Sequence, residues 1–281
     1  MKITILGASG FIGRHLGMAL RARGDVVTTA SLRSARLAAN ACNGADVVVN
    51  LAGEPVAQRW SASVKEKIRT SRVDAVRALM TELASVTNKP AAYVSASAVG
   101  YYGTSETATF DETSGPGNDF LAGVCVAWEE EADRAAALGM RVAKVRTGLV
   151  LGSDGGALAK LLPIFKLGGG GIVASGRQWY SWIHIDDQVG IYLHAIDGAD
   201  GILDATAPTP VRNAEFTSAL ARALHRPAFL PVPEFAMNLV FGEGAVIVVD
   251  GQCVLPTRTL ATGYTFTYPT IDGACAAIAA A

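Results

Sequence analysis

The chain has 281 residues, of which 50% are apolar and 17% charged, and its formal net charge is −1. This balance is typical of a folded globular protein and excludes a disordered chain or a basic nucleic-acid-binding surface. The aliphatic runs are far shorter than the roughly 20 residues of a membrane span. The four cysteines are isolated, so we expect reduced thiols in a cytoplasmic protein without a bound metal.

The apolar pattern predicts strands that alternate with helices through the first half of the chain. Short aliphatic runs bounded by glycine predict strands, and longer amphipathic stretches predict helices. Such alternation forms right-handed βαβ units, so we predict an α/β fold with a doubly wound parallel sheet of the Rossmann type. The predicted elements are strands 2–6, 26–30, 46–50, 92–97 and 141–150, and helices 12–23, 63–85 and 119–138.

The pattern changes after residue 151, where loops lengthen and prolines cluster. This change predicts a smaller C-terminal lobe that closes over the carboxyl edge of the sheet and contributes to substrate binding. We assign residues 1–164 to the Rossmann domain, with 191–207 returning to it, and residues 165–190 and 208–281 to the lobe.

A glycine-rich turn, GxxGxxG, lies between the first predicted strand and the first predicted helix. The first glycine permits a tight turn, the second lets the backbone approach a pyrophosphate, and the third lets the helix pack on the sheet. The helix N-terminus offers free N–H groups to the phosphates. We therefore predict dinucleotide binding by this turn. The expected contacts are Gly7, Ser9, Gly10, Phe11, Ile12 and Gly13.

The end of the second strand indicates which dinucleotide binds. No acid follows this strand to bind the ribose 2'-hydroxyl of NAD, whereas Ser31 and Arg33 are present. Arg33 can form a forked, charge-assisted contact with a 2'-phosphate, which predicts NADP(H); the alternative is a solvated loop cation. Small residues after the third strand would let the cofactor lie on the backbone. These residues are Asn50, Leu51, Ala52 and Gly53.

Several long motifs carry a family resemblance. The segments GASGFIG, DVVVNLAG and SASAVGYYG together resemble the extended short-chain dehydrogenase/reductase superfamily. Four later segments resemble the group called epimerase family proteins, or SulA-like proteins, which carry a characteristic C-terminal segment. These are VRTGLVLGSDGGALAKLLP, SGRQWYSWIHIDD, ATAPTPVRNAEF and GQCVLPTRTLATGYTFTYPT. The resemblance extends from residue 1 to about residue 276.

The resemblance implies a serine after the fourth strand and a Tyr-x-x-x-Lys pair on the next helix. In that superfamily the tyrosine moves the proton, and the lysine lowers its pKa and holds the nicotinamide ribose. Ser97 matches the serine, although it also fits a buried strand-end hydroxyl. The helix does not match: with Glu129 as the acid after the lysine, Cys125 takes the lysine position and Leu121 the tyrosine position.

Substitutes for the missing pair are sought in the neighbouring loop. Tyr101 and Tyr102 follow Ser97, and either is a candidate proton donor; the alternative is an aromatic pair that packs under the C-terminal lobe. Glu54, after the third strand, either faces substrate or is solvated. Arg146, near the end of a central strand, either binds an anionic substrate or pairs with a buried acid.

The segment WIHIDD resembles the superfamily's R-D-F-I-H-V-x-D, whose arginine often holds the diphosphate of a sugar nucleotide. Tyr180 and Ser181 replace that Arg-Asp pair here, which argues against a nucleotide-sugar substrate. Trp182 and His184 are candidate substrate residues, although His184 is expected mainly as a structural hydrogen-bonding group. Asp186 or Asp187 is expected to cap the helix that follows, and Asn213 to cap a later one.

Two functions are compatible with these features. The first is an NADP(H)-binding oxidoreductase or epimerase acting on an unidentified small carbonyl or hydroxyl compound, with Ser97 orienting the substrate. The second is a catalytically silent NADP(H)-binding regulatory protein, for example one linked to cell division. Convergence of Ser97, Tyr101 and Tyr102 on the nicotinamide would favour the enzyme. Apolar side chains filling that space would favour the regulator.

Overall fold

The chain folds around a six-stranded parallel sheet. The computed structural model describes residues 1–281. The strands in chain order are β1 (Lys2–Leu6), β2 (Val26–Ala30), β3 (Val47–Asn50), β4 (Ala92–Ala98), β5 (Thr109–Phe110), β6 (Arg141–Thr147), β7 (Leu149–Leu151), β8 (Trp179–Tyr180), β9 (Trp182–His184), β10 (Gly201–Ala205), β11 (Val211–Arg212) and β12 (Cys253–Val254).

Twelve α-helices surround this sheet and form most of the C-terminal lobe. They are α1 (Phe11–Ala22), α2 (Ala35–Cys42), α3 (Ala62–Thr70), α4 (Val73–Ala84), α5 (Phe120–Ala137), α6 (Leu158–Lys166), α7 (Ile185–Asp197), α8 (Asn213–Leu224), α9 (Glu234–Phe241), α10 (Val246–Val249), α11 (Thr257–Ala261) and α12 (Ile271–Ala280). Two 3₁₀ turns, Val99–Tyr102 and Gly242–Ala245, complete the regular structure. No helix combines the length and apolar character that crossing a bilayer requires.

The six strands lie in the order β2-β1-β3-β4-β6-β10, so the chain winds outward from the centre in both directions. This topology confirms the predicted doubly wound sheet of the Rossmann type. Both faces are covered: Val47 and Val49 of β3 pack toward α1 and α7, and Val48 packs toward α2, α4 and α5. The alternation explains why the central strands are continuously apolar.

The predicted helix 63–85 is two helices, α3 and α4, which meet at Ser71 and Arg72. The Ser71 hydroxyl accepts from the backbone N–H of Glu54 (2.9 Å) and donates to the carbonyl of Ile68 (3.2 Å). A serine hydroxyl that binds backbone groups competes with regular helical hydrogen bonding. Through these hydrogen bonds, Ser71 at the break connects α3 and α4 to the loop after β3.

The predicted strand 141–150 is likewise interrupted, at Gly148, and continues as β7 in another sheet. A Cβ at Gly148 would lie 2.1 Å from the carbonyl oxygen of Ser181, so the close approach of these backbones requires glycine. Beyond it, β7 pairs with β9.

The caps of two helices differ from the sequence predictions. Helix α7 is capped by His184, whose Nδ1 accepts from the N–H of Asp186 (3.2 Å), and not by Asp186 or Asp187. Asp187 is fully buried and accepts from the backbone N–H groups of Thr267 (2.7 Å) and Tyr268 (2.8 Å). Its carboxylate thus binds the C-terminal segment rather than the helix end.

Asn213 is the first residue of α8 and not its cap, because its side-chain oxygen accepts from the N–H of Val173 (2.9 Å). The C-terminal lobe has its own core, in which Phe216 and Leu220 of α8 pack with Ile278 of α12. Strand β10 lies in the main sheet, and α7 packs on that sheet along its length, so the division drawn at residue 190 falls inside a helix.

Candidate functional site

The glycine turn closes tightly against the loop after β3. Gly7 has φ +83°, and a Cβ there would lie 2.8 Å from the backbone nitrogen of Ala52. A Cβ at Gly13 would lie 2.7 Å from the carbonyl oxygen of Gly7. At both positions, backbone atoms of neighbouring residues occupy the space that a side chain would need. Because both residues are glycine, the turn, the first helix and the third strand can lie close together.

Helix α1 begins directly at this turn, with Gly10 as its N-cap and no side chain bound to its first N–H groups. The N–H groups of Phe11, Ile12 and Gly13 have no partner within the helix, since the first turn of an α-helix lacks preceding carbonyls. Ser9, in the turn, is exposed. An anion at this helix end would meet these donors and the positive end of the helix dipole.

A second glycine-rich loop, residues 152–156, covers the Phe11 ring. A Cβ at Gly155 would lie 2.2 Å from a ring carbon of Phe11, and one at Gly152 would lie 2.6 Å away. The aromatic ring is thus packed beneath a loop that only glycines can form, at the start of α1. This contact fixes the conformation of the turn from the other side.

The side chain of one buried residue, Asn50, holds the segment after β3 in its conformation. Asn50 is fully buried, donates to the Tyr93 hydroxyl (3.0 Å), and accepts from the N–H of Ala52 (3.1 Å). The small residues that follow, Leu51, Ala52 and Gly53, then run along the carboxyl edge beside the glycine turn. The sequence predicted their location, whereas the role of the Asn50 side chain depends on the fold.

Ser31 and Arg33 lie at the end of β2 on the same edge, and both are exposed. The Ser31 hydroxyl accepts from the N–H of Arg33 (3.2 Å), while the guanidinium of Arg33 has no ion-pair partner. The glycine turn, the open helix end and the free cation together fit a phosphorylated dinucleotide. Residues of the chain that would hold it are those of the turn, Arg33 and the Asn50–Gly53 segment.

A network of buried polar side chains occupies the other half of the sheet. The Arg146 guanidinium, 1% exposed, donates from Nε and Nη2 to the two oxygens of Glu129, each at 2.8 Å. Ser97, 3% exposed, donates to the same carboxylate at 2.6 Å. Burial alone would lower the pKa of Arg146, but the hydrogen bonds and charge of Glu129 raise it above its ordinary value.

Tyr102 extends this network to the edge strand β10. Its hydroxyl accepts from Arg146 (2.9 Å) and donates to the Asp204 carboxylate (2.7 Å). Burial, reinforced by the negative charge of Asp204, raises the pKa of Tyr102. Burial and the nearby Glu112 carboxylate raise the pKa of Asp204 well above its ordinary value. The hydroxyl of Tyr102 is thus held in the interior in its protonated form.

Sequence reasoning missed Asp204 and Glu112 as members of this network. Glu112 accepts from the N–H of Asp204 (3.2 Å) and from the N–H groups of Arg258 and Thr259, each at 2.9 Å. It therefore connects β10 to α11. The available signal for Asp204 was a lone acid within the apolar segment ILDATA. Glu112, which follows Asp111 in the polar segment FDETSG, carried no such signal.

Tyr101 differs from its neighbours because its hydroxyl makes no hydrogen bond within the protein and its side chain is half-buried. Its ring lies flat against Arg146, with 3.4 Å between the guanidinium carbon and the ring centroid. It also contacts the Tyr102 ring edge-on, with centroids 5.4 Å apart. Ser97, Tyr101, Tyr102 and Arg146 are therefore brought together, but only the Tyr101 hydroxyl is left free.

The helix face where the superfamily keeps its Tyr and Lys is apolar. Leu121 packs against a buried apolar cluster of Trp60, Ile68 and Val124, which Phe120 and the α10 residues Val246 and Ile247 also cover. Cys125 is buried, and burial followed by the charge of Glu129 raises the pKa of its thiol to about 12. A thiol held protonated in this way is a poor nucleophile. A Cβ on Gly100 would lie 3.4 Å from that of Leu121, so the Tyr101 turn borders this face.

The remaining candidate substrate residues make structural contacts. Trp182 is fully buried in the core of the C-terminal lobe, and its indole N–H donates to the carbonyl of Thr209 (3.0 Å). The His184 ring contacts the Tyr268 ring at a tilt of 42°, with centroids 4.0 Å apart, and burial lowers the pKa of His184. Glu54 is half-buried and accepts from the Gln58 amide (3.2 Å).

Comparison with known proteins extends along the whole chain. The model of the NAD dependent epimerase/dehydratase family matches residues 3–205, and that of a domain of unknown function, DUF1731, matches residues 232–278. The chloroplastic homologue of epimerase family protein SDR39U1 from Arabidopsis thaliana is 41% identical over 99% of this chain and 86% of its own length. Epimerase family protein YfhF of Bacillus subtilis is 36% identical over 97% of this chain and 96% of its own.

Among solved structures, human epimerase family protein SDR39U1 (isoform 2), crystallised with NADPH, has a TM-score of 0.92 to this chain. The two are 35% identical, with 100% of this chain and 99% of the human chain covered. Both the turn-bearing N-terminal part and the C-terminal segment are therefore shared with these relatives. The chain belongs to the NAD dependent epimerase/dehydratase family, and it carries the additional C-terminal domain found at residues 232–278.

Proposed function

We propose that this protein is an NADP(H)-dependent oxidoreductase that acts on a small carbonyl or hydroxyl compound. The observation that supports an oxidoreductase is the position of Tyr101. Its hydroxyl has no hydrogen-bond partner in the protein and lies beside the apolar face of α5, while its ring packs against Arg146. It is the one hydroxyl among Ser97, Tyr101 and Tyr102 that is free to give a proton to a substrate oxygen. An epimerase that oxidises and re-reduces one carbon is a special case of this function.

Several features support NADP(H) as the cofactor. The glycine turn leaves room for a pyrophosphate, and Arg33 is a free cation at the strand end where an NAD-binding protein would carry an acid. The human relative was crystallised with NADPH. NADPH would supply the hydride, and the chain would supply binding, orientation and the proton.

The buried network supports Tyr101 indirectly. Glu129 fixes the Arg146 guanidinium through two hydrogen bonds, and Arg146 in turn fixes the Tyr101 ring. Ser97, whose hydroxyl donates a hydrogen bond to Glu129, acts as a positioning residue rather than as a substrate contact. The apolar cluster around Leu121 and Trp60 favours an apolar body on the substrate, with its oxygen directed at Tyr101.

The test is a screen of small aldehydes and ketones for NADPH oxidation by the wild type and by Tyr101→Phe. We expect the variant to lose at least about 100-fold in kcat, because a positioned general acid contributes about 10²–10⁴-fold. Tyr268→Phe is the matched control, since Tyr268 is another half-buried tyrosine and its ring contacts His184. Undiminished turnover by Tyr101→Phe would exclude Tyr101 as the proton donor.

A catalytically silent NADP(H)-binding protein is the second candidate. It is favoured by the hydrogen bonds that the Ser97 and Tyr102 hydroxyls make within the interior. It is also favoured by Leu121, which packs against the apolar cluster of Trp60, Ile68 and Val124 where the superfamily has its tyrosine. This candidate predicts tight NADPH binding without turnover of any compound in the panel. Turnover that depends on Tyr101 would eliminate it.

A further inference from the structure

Arg72 brings a positive charge to the candidate cofactor edge, and no function has yet been given to it. It lies at the break between α3 and α4, and its guanidinium packs flat beside Gly53. A Cβ on Gly53 would lie 2.9 Å from the guanidinium carbon and 3.0 Å from Nη2. Because Ala52, the preceding residue, closes against Gly7, the Arg72 head group stands at the same edge as the glycine turn.

This guanidinium has only neutral partners within the protein. Its Nη1 donates to the carbonyls of Glu54 (2.9 Å) and Ile68 (3.2 Å), and no carboxylate lies within ion-pair distance. Nε and Nη2 donate to no protein atom. Arg146, by contrast, is matched by both oxygens of Glu129. A largely enclosed cation with unused donors is costly unless something else completes its hydrogen bonds.

The same guanidinium faces the helix that lacks the superfamily's lysine. Its carbon lies 5.2 Å from the centroid of the Trp128 ring on α5. Trp128 is one helical turn after Cys125, and both are on the buried face of that helix. Burial lowers the pKa of Arg72, and Cys125 and Glu54 are the neighbours that oppose this effect. Arg72 thus brings a cation from α4 to the place where Cys125 replaces a lysine.

We propose that Arg72 substitutes for the missing lysine and holds the nicotinamide ribose of NADP(H). Its free Nε and Nη2 donate to ribose hydroxyls, while Nη1 remains bound to the loop after β3. Arginine suits this role because its planar guanidinium can donate to the protein and to the ligand at the same time. A lysine ammonium is a single point charge and holds two such partners less rigidly. The inference rests on NADP(H) being the cofactor, as proposed above.

The test compares two ligands that differ in the nicotinamide half. NADPH contains both halves, whereas adenosine 2',5'-bisphosphate contains the adenosine with its 2'- and 5'-phosphates and lacks the nicotinamide ribose. In Arg72→Met we expect the Kd for NADPH to rise at least about tenfold, because each lost hydrogen bond from a charged group contributes at least about that factor. The Kd for adenosine 2',5'-bisphosphate should not change. Both are measured by calorimetric titration of the full-length protein, which needs no turnover.

Arg69→Met is the control, because Arg69 is an exposed cation in the last turn of α3 and should leave both Kd values unchanged. Equal weakening of both ligands by Arg72→Met, or no weakening of NADPH, would overturn the inference. If Arg72→Met unfolds, Arg72→Met combined with Cys125→Lys decides. A lysine at 125 should restore folding and most of the NADPH affinity; a folded double variant with weak NADPH binding contradicts the proposal.

The outcomes also separate this inference from the proposed function. Wild-type protein that binds neither ligand would remove the NADP(H) assignment itself. Wild-type protein that binds both ligands, loses NADPH selectively through Arg72→Met and turns over no carbonyl compound would leave the Arg72 inference intact. In that case the oxidoreductase proposal would be wrong.

Discussion

The two halves of the sheet treat their polar groups in opposite ways. Around β1, β2 and β3, the helix end after Gly10, the Arg33 guanidinium and two nitrogens of Arg72 have no partner in the protein. Around β4, β6 and β10, the polar side chains of Ser97 and Arg146 and their neighbours bind one another in the interior. The first half is arranged for a ligand, and the second half is complete without one.

This difference separates binding from positioning. Donors that lack a protein partner at a sheet edge are satisfied by a bound anion or sugar. Donors that are already satisfied in a low-dielectric interior hold their neighbours in one geometry. We therefore assign cofactor binding to the first half, and to the second half the placement of Tyr101, whose hydroxyl makes no hydrogen bond within the protein.

The largest expected effect is on the buried network. Arg146→Met leaves the buried Glu129 carboxylate without its two guanidinium hydrogen bonds and with Lys144, at 4.0 Å, as its remaining cation, so we expect a loss of about 3–5 kcal/mol in the free energy of unfolding. Urea denaturation measures this loss. Arg222→Met, which breaks the exposed ion pair with Asp272, should cost less than about 1 kcal/mol. Similar costs for the two variants would show that the network is not a rigid interior unit.

The glycine turn should be the next most sensitive position. Gly7→Ala combines a positive φ with a Cβ 2.8 Å from the Ala52 nitrogen. We therefore expect backbone strain and overpacking to lower the free energy of unfolding by about 2–4 kcal/mol. NADPH binding should be lost with it. Gly24→Ala is the control: φ is +89° there and no atom lies within 4 Å of the added Cβ. If both variants behave alike, backbone strain alone explains Gly7.

Selectivity for the phosphorylated cofactor should depend on Arg33. Arg33→Ala is expected to raise the Kd for NADPH about tenfold, a loss of about 1.4 kcal/mol, and to leave the Kd for NADH unchanged. Fluorescence titration of both nucleotides measures this. Arg36→Ala, another exposed arginine three residues later in α2, should change neither value. Equal wild-type affinity for NADPH and NADH would refute the role of Arg33.

The smallest effect is a pH dependence of stability. Burial and then Glu112 raise the pKa of Asp204, so the folded protein retains a proton there that the unfolded chain has released. The free energy of unfolding should therefore fall as pH rises above about 4, the ordinary carboxyl range. Asp204→Asn lacks this fall, so its stability relative to wild type should increase from about pH 4 to about pH 8. A relative stability that decreases with pH would mean that Arg146 and Tyr102 dominate.

Local pattern was enough for the features whose physics is local. The strand at residues 2–6, the GxxGxxG turn and the helix behind it are encoded by neighbouring residues, and the structure has β1 and α1 within one residue of those bounds. Helix α2 was not predicted from the sequence. The break at Ser71 was not predicted either, because it depends on a hydrogen bond between the Ser71 hydroxyl and the backbone of the distant loop at Glu54. The cap of α7 was mispredicted for the same reason. His184 caps the helix because the Asp187 carboxylate accepts hydrogen bonds from residues near the C-terminus.

By itself the sequence determined the doubly wound sheet, the cofactor turn and the absence of a Tyr-x-x-x-Lys pair, because each is a matter of residue type at fixed spacing. Only the tertiary structure decided what the remaining polar groups do. Ser97, Glu129 and Arg146 come from β4, α5 and β6, and their pairing in the interior follows from strand order, not from spacing. Arg72 reaches the edge beside Gly53 for the same reason. Contacts between distant segments depend on how the layers pack, and local pattern carries no record of that packing.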